Sequence, residues 1–205
     1  EEYATFDPTL LIGYDLKFSI KTQVQLSADI EQNNEEESPE IRLLCLRIFE
    51  KKGDANKLEE LRIEIMDDLD VAFFLECSVD ESSFQTIQAN NRLQITFSQF
   101  PQSLIELFER SVKAPESIKL KLNIQRDYNC VFTICQALRL RLVKVFSLDF
   151  RSSPTDFIRS QVQYRFNQLK MDAQQKSQDI ETKFAKIKSK NPQFAEQLRK
   201  SIMYA

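Results

Sequence analysis

Histidine is absent from this chain of 205 residues, and glycine occurs only twice. Without histidine the chain lacks the commonest general base, the usual partner of a nucleophilic serine or cysteine, and the commonest zinc ligand. Two glycines leave no G-x-G-x-x-G fingerprint and no P-loop, so no backbone cradle for a phosphate is expected. The four cysteines, Cys45, Cys77, Cys130 and Cys135, contain no C-x-x-C pair, and each sits in an apolar run. They read as buried free thiols of a reducing compartment rather than metal ligands. No apolar run is long enough to span a bilayer, and no signal-peptide pattern is present. The first residue is Glu rather than Met, which marks a fragment or a processed chain. No enzyme, cofactor, metal, small-molecule substrate or membrane partner is expected on these grounds.

What is present suffices for one globular domain and an extension. Apolar residues make up 42% and charged residues 29% of the chain, ordinary values for a folded core. The net charge of −3 hides a division. Up to Arg151 there are 18 basic and 26 acidic side chains; from Ser152 onward there are 10 and 5. A head of net −8 followed by a segment of net +5 marks two units, residues 1–151 and 152–205.

The head reads as mostly β. "YDLKFSI" alternates Leu16, Phe18 and Ile20 with polar neighbours, "LRIEI" does so with Leu61, Ile63 and Ile65, and "SIKLKLNIQ" with Ile118, Leu120, Leu122 and Ile124. That is the period of half-buried strands. "EIRLLCLRIF" and "VAFFLECSV" are more continuously apolar, as in strands covered on both faces. The acidic stretch "DIEQNNEEESPE" has nothing to bury and reads as a mobile loop, and "KKGDAN" around Gly53 as a hairpin turn. Two short helices interrupt the strands. Asp80 caps "ESSFQTIQA", and Pro101 opens "FPQSLIELFERSV", whose Leu104, Leu107 and Phe108 share a face. The expected order is several strands, helix, strand, helix, then three strands. This is a mainly β fold with some α: a sandwich or barrel head carrying a small helical pair.

The second unit opens with Ser153 as N-cap, Pro154 at the next position and Asp156 beyond it, a capping-box start. No helix breaker follows until Pro192, which allows a helix of roughly 55 Å. Val162, Phe166, Leu169, Ala173, Ile180 and Ile187 fall on a 3–4 spacing, a coiled-coil seam, with Lys176, Lys183 and Lys190 in the intervening seam positions. One narrow apolar stripe cannot hold a long helix alone in water. The expected partner is a second copy in parallel, in a dimer that the seam lysines make easy to dissociate. After Pro192, Phe194, Leu198 and Ile202 recur every four residues in one further helical segment. The basic run "KFAKIKSK" reads as a solvated helix face, with tubulin or nucleic-acid contact as the lesser reading.

One stretch resists this scheme. "ICQALRLRLVK", Ile134 to Lys144, lies between two strand-like runs yet contains no Gly, Pro, Asn or Asp. Turns normally use those residues. The sequence instead places Leu138, Leu140 and Leu142 around Arg139 and Arg141. Either this row is the inward face of a strand whose turn lies elsewhere, or it is a hairpin tip built for contact.

The segment "MDDLDVAFFLECSVDESSFQTIQANNRLQITFSQFPQSLIELF", Met66 to Phe108, resembles the head domain of the centriolar cartwheel family, spindle assembly abnormal protein six. The shared features are an acidic turn (Asp67, Asp68, Asp70) and a Phe-Leu strand (Phe73, Phe74, Leu75). A helix opening on Asp80, Glu81 and Phe84 follows, and then Phe97, Phe100 and Pro101 in a Phe-x-x-Phe-Pro strand end. The likeness continues through "VFSLDF" and covers most of Tyr14 to Leu169, with the acidic Asp29–Pro39 loop as an insertion.

The resemblance implies a non-enzymatic scaffold of the cytoplasm and cytoskeleton, at the centriole or basal body. The coil joins two chains in parallel, heads of neighbouring dimers meet through the hairpin of the last two strands, and the ring that closes templates centriole symmetry. Leu140 falls at the position of the inserted tip residue, with Leu138, Arg139 and Arg141 beside it, and Phe84, Ile87 and Leu93 as the candidate receiving pocket. The family usually carries an aromatic or β-branched residue at this tip, in an Asn- or Pro-rich context, so a leucine between arginines departs from the pattern. The chain itself is the expected partner, with other centriolar proteins or microtubules beyond it and no nucleic acid. Two alternatives share the architecture: a relative with the same head at other microtubule or flagellar structures, and a DNA-repair ligase scaffold.

Overall fold

The computed structural model describes residues 6–28, 40–125 and 129–203, and the side chains of these up to residue 197. The Asp29–Pro39 loop and the side chains of Leu198 and Ile202 lie outside the described residues. Two compact units are present: one runs Asp7–Arg159, and the other is built on residues from Ser160 onward.

Seven strands form a closed barrel. They are β1 (Asp15–Ala28), β2 (Glu40–Lys52), β3 (Leu58–Asp67), β4 (Phe74–Asp80), β5 (Ile118–Ile124), β6 (Asn129–Leu138) and β7 (Arg141–Ser152). The order around the wall is β1-β2-β3-β4-β7-β6-β5. All neighbours are antiparallel except β1 and β5, whose short parallel pairing of Gln25–Ala28 with Lys121–Ile124 closes the wall. The wall is thinnest between β4 and β7, which pair only at Leu75↔Ser152 and Glu76↔Arg151.

The interior follows from period-2 alternation. Val24, Leu26, Leu44, Leu46, Ile48, Leu61, Ile63, Ile65, Ile118, Leu120, Leu122, Phe132, Ile134, Leu148 and Phe150 all point into one buried cluster. The β2–β3 hairpin turns through a 3-10 segment, Asp54–Asn56, in which Ala55 (φ 59°) and Asn56 (φ 61°) occupy the left-handed region.

Three helices belong to the head: α1 (Pro8–Leu11), α2 (Glu81–Asn91) and α3 (Phe100–Lys113). Asp80 caps α2 by accepting the Ser83 N–H at 2.7 Å, while the Ser83 hydroxyl takes the Asp80 N–H at 2.9 Å. The Ser83 hydroxyl also donates to Asp80 Oδ1 at 2.6 Å, and this bond, with the one from the Ser83 N–H, favours the ionised cap and holds the Asp80 carboxyl below its ordinary pKa. The helical pair is seated by rings. Phe84 lies 5.6 Å from Phe97 and 4.9 Å from Phe100, and Phe100 lies 5.7 Å from Phe146 on β7. A second row of edge-to-face rings is Phe108–Phe132–Phe150.

The strand expected between the two helices does not form. Arg92 ends α2 in the left-handed region (φ 53°), and the Leu93 N–H closes back on the Gln88 carbonyl at 3.0 Å. A 3-10 turn, Phe97–Gln99, then leads into α3. The few residues between cannot reach a ladder, and the Gln88 side-chain amide donates to the Ile95 carbonyl at 2.7 Å in place of a strand partner.

The long helix α4 spans Thr155–Lys190 and is followed by α5, Pro192–Met203, so the break falls at Pro192 as read from sequence. The cap at its start does not form as read. The Ile158 N–H bonds the Pro154 carbonyl at 3.0 Å, and the Ser153 hydroxyl donates to Glu76 Oε2 at 2.6 Å. The first helical bond thus starts from Pro154, one residue later than read, and Ser153 ties the approach to the helix to β4 instead.

Candidate self-assembly surfaces

The β6–β7 hairpin carries the leucine row at its tip. Leu138↔Arg141 is the last ladder pair, leaving Arg139 and Leu140 as a two-residue turn. Neither has positive φ; the described non-glycine residues that do are Ala55, Asn56 and Arg92. The turn therefore needs no Gly or Asn, and most residue types fit it. Such a turn matches the strand twist poorly. The register shift between Ile134 and Cys135, which leaves Val145 as an extra residue on β7, adds local twist just below the tip.

Leu140 is 100% exposed, Leu138 47% and Leu142 42%. Since Ala137 pairs with Leu142 and Leu138 with Arg141, Leu138 and Leu142 lie on opposite faces of the ribbon with Leu140 at its end. The β5 ladder stops at Ile118↔Gln136, with one further bond from the Ala137 N–H to the Ser117 carbonyl at 2.8 Å, so the tip from Leu138 to Arg141 has only itself to pair with. The row is thus at the tip and in water, not on the inward face of a strand.

The three residues read as a receiving pocket differ in placement. Phe84 is 2% exposed and enclosed by Phe97 and Phe100, so it is a core residue. Ile87 and Leu93 are half-buried and pack against that core from outside. Ile87 lies on α2 and Leu93 in the connection to α3, whose Phe100 packs on Phe146 of β7.

On α4 the seam residues are largely unpartnered. Phe166 is 61% exposed, Leu169 69% and Ile180 64%; Ala173 is exposed, while Val162 and Ile187 are half-buried. A helix of 36 residues with a solvated apolar stripe is incomplete alone.

Sequence reasoning missed a buried polar network on the outer face of β2, β3 and β4. Cross-strand register aligns Arg47 with Glu64 and Glu64 with Glu76. Glu64, fully buried, accepts from Arg47 Nε (3.0 Å), Arg62 Nε (2.8 Å) and the Thr9 hydroxyl (2.6 Å). Arg47 also pairs with Asp7, and Arg62 with Glu76. The Arg62 guanidinium lies 4.9 Å from the Phe157 ring at the start of α4 and 5.8 Å from the Tyr14 ring. Burial works against both charges, yet Glu64, with Asp7 or Glu76, more than offsets it and both arginines stay above their ordinary pKa. The signal lay in the pairing register, which aligns these charges in one row and which no single strand reveals.

Among the described residues no His, Cys, Asp or Glu cluster is arranged to hold a metal. The four cysteines are free thiols, all buried but the half-buried Cys45, and burial pushes the Cys77 thiol up to about 12. Among the described residues no helix is long and apolar enough to cross a membrane.

A barrel head with a helical pair, a projecting apolar hairpin and a long helix with an unfilled seam define a structural protein built for contact between chains. The chain belongs to the family described as centriolar protein SAS, N-terminal domain, whose pattern it matches over residues 16–150. Solved structures share the fold. An N-terminal fragment of Leishmania SAS-6 containing part of its coiled coil superposes with a TM-score of 0.68 at 13% identity, covering 85% of this chain and 99% of that one. The N-terminal coiled-coil dimer of C. elegans SAS-6 gives 0.59 at 16%, covering 82% and 98%. The Leishmania N-terminal domain alone gives 0.58 at 14%, covering 69% and 99%. No curated protein matches the chain.

Proposed function

We propose that this chain forms the hub of a centriole cartwheel through two contacts with its own copies. In the first, α4 pairs in parallel with a second α4 along Val162, Phe166, Leu169, Ala173, Ile180 and Ile187. In the second, Leu140, flanked by Leu138, Arg139 and Arg141, enters the surface around Ile87 and Leu93 of another head. Two independent self-contacts per chain propagate, and with the right angle between them the assembly closes into a ring that templates centriole or basal-body symmetry.

The observation that carries this reading is Leu140, wholly in water at the end of a projecting ribbon whose turn does not require it. The cost of exposing an apolar row is sensible only if something covers it. Full burial of one leucine is worth about 1.5–3 kcal/mol, less than the roughly 4 kcal/mol of a millimolar contact. The head contact alone is feeble, and pairing two heads on one coil supplies the effective concentration that makes it count.

Sedimentation equilibrium of the chain beside Leu140→Glu tests this over a wide concentration range. The native chain is expected to grow beyond dimers and the variant to stop at dimers. Equal endpoints for both would remove the hairpin from assembly and leave the coil as the only contact.

A further inference from the structure

Strict heptads along α4 put Lys176, Lys183 and Lys190 into the seam beyond Ala173. The helix offers another continuation. α4 runs without a break from Thr155 to Lys190, so all of its positions belong to one rod. Val162, Phe166, Leu169 and Ala173 follow one another in steps of four, three and four. One further step of four reaches Ser177, and steps of three, four and three then give Ile180, Phe184 and Ile187. This path carries no charged side chain, whereas strict heptads carry three lysines and pass over Phe184. An insertion of four residues into a heptad repeat is a stutter, which locally unwinds a coiled coil without ending it.

The flanks say which partner fits. On the shifted path Lys176 and Lys183 each lie one position before a seam residue, Ser177 and Phe184, at the edge of the seam rather than in it. Lys176, Lys183 and Lys190 are exposed, and among the described residues none of them makes an ion pair. Lysine stems at that edge cover apolar layers while their charges stay in water. Glu181 is exposed too, and the positions three and four away on its own helix hold Ser177, Gln178, Phe184 and Ala185, none of them basic. In a parallel pair in register, Lys176 of one helix faces Glu181 of the other across the edge of the seam. Lys183 faces Lys188 of the second copy in the same way, an exposed like-charge pair of small cost. An antiparallel pair sets lysine column against lysine column instead.

We propose that the coil of α4 carries a stutter after Ala173, so that Phe184 is a core residue of the dimer, and that Lys176 and Glu181 of two copies fix its parallel register. This rests on the parallel-coil reading above and changes its energetics. The half of the coil beyond Ala173 is an apolar seam that holds the two copies together, not a row of lysines that opens.

Sedimentation equilibrium of the whole chain separates the two seams, with Leu140→Glu present throughout to keep head contacts out. Phe184→Ser is expected to weaken the dimer about a hundredfold, as loss of a core ring implies. Lys183→Leu is expected to stay within about threefold of the native coil, the range of an exposed charge. Strict heptads require the reverse, a much tighter dimer for Lys183→Leu and no change for Phe184→Ser, and that result overturns the proposal. Glu181→Lys is expected to weaken the dimer about threefold, and Lys176→Glu in the same chain to restore it; without that recovery the register claim falls. Under mild oxidation Ser177→Cys is expected to give covalent dimers and Lys176→Cys none, because only seam positions bring like residues of parallel chains within bonding distance. The opposite pattern sinks the stutter. A dimer weakened by Phe166→Glu but not by Phe184→Ser removes the stutter and keeps the coil. A chain that stays monomeric at every concentration removes the coil reading, and the stutter with it.

Discussion

Two stretches of this chain are almost the same sentence. β3 contains Leu61-Arg62-Ile63-Glu64-Ile65, and the β6–β7 tip reads Leu138-Arg139-Leu140-Arg141-Leu142. Their surroundings are opposite. In β3 the apolar side chains fill the barrel, and the charged ones are also buried, at 6% exposure for Arg62 and 0% for Glu64. At the tip the charges are in water, and so are the leucines. Alternation fixes which residues share a face; it does not fix whether that face is wet. β3 lies mid-wall between β2 and β4 under α1 and the root of α4, while the tip has no neighbour but itself.

The difference is open to direct attack. Glu64→Ala should have the largest effect, because it leaves Arg47 and Arg62 short of their shared carboxylate in a buried site. A loss of about 3–5 kcal/mol is expected, a large part of the total stability of a domain. Urea denaturation measures it, and a loss under about 1 kcal/mol would mean that water reaches the network.

A smaller effect is expected at alkaline pH. Burial, with a bond to Glu60, raises the Tyr14 phenol to about 12. Between pH 10 and that value the unfolded chain releases the proton while the folded chain keeps it. The folded state then binds more protons, so stability falls as pH rises through this interval. Tyr14→Phe should remove that part of the slope, and equal slopes in both proteins would place the phenol in solvent.

Smallest of all, Arg139→Ala combined with Arg141→Ala should move stability by no more than about 0.5 kcal/mol, as for other exposed side chains. A thermal melt decides this. A larger loss would show that the tip resembles β3 after all.

Much of this was legible in the residues. The strands, the Asp80 cap, the Gly53 turn and a long helix ending before Pro192 follow from periodicity and local backbone chemistry, which act over a few positions. The position of the hairpin tip was legible too, once Leu138–Leu142 was weighed against the missing turn residues. The Arg92–Thr96 connection was misread, since Leu93, Ile95 and Phe97 alternate like a strand while two capped helices leave no room for one. Ser153 was misread by one position: the first helical bond starts from Pro154, and the Ser153 hydroxyl donates to Glu76, 77 positions away in sequence. Phe84 is a core ring rather than a pocket wall, because Phe97 and Phe100 already surround it.

By itself the sequence determined what is local: which side chains share a face, and where backbone chemistry favours a turn or the end of a helix. Only the tertiary structure decided which polar faces are buried and which apolar ones are bare. The charge row Arg47, Glu64 and Glu76 comes from three strands, and its screen comes from an N-terminal turn and the root of a distant helix. Burial is a property of neighbours, and neighbours across a barrel wall are set by register, which a single strand does not encode.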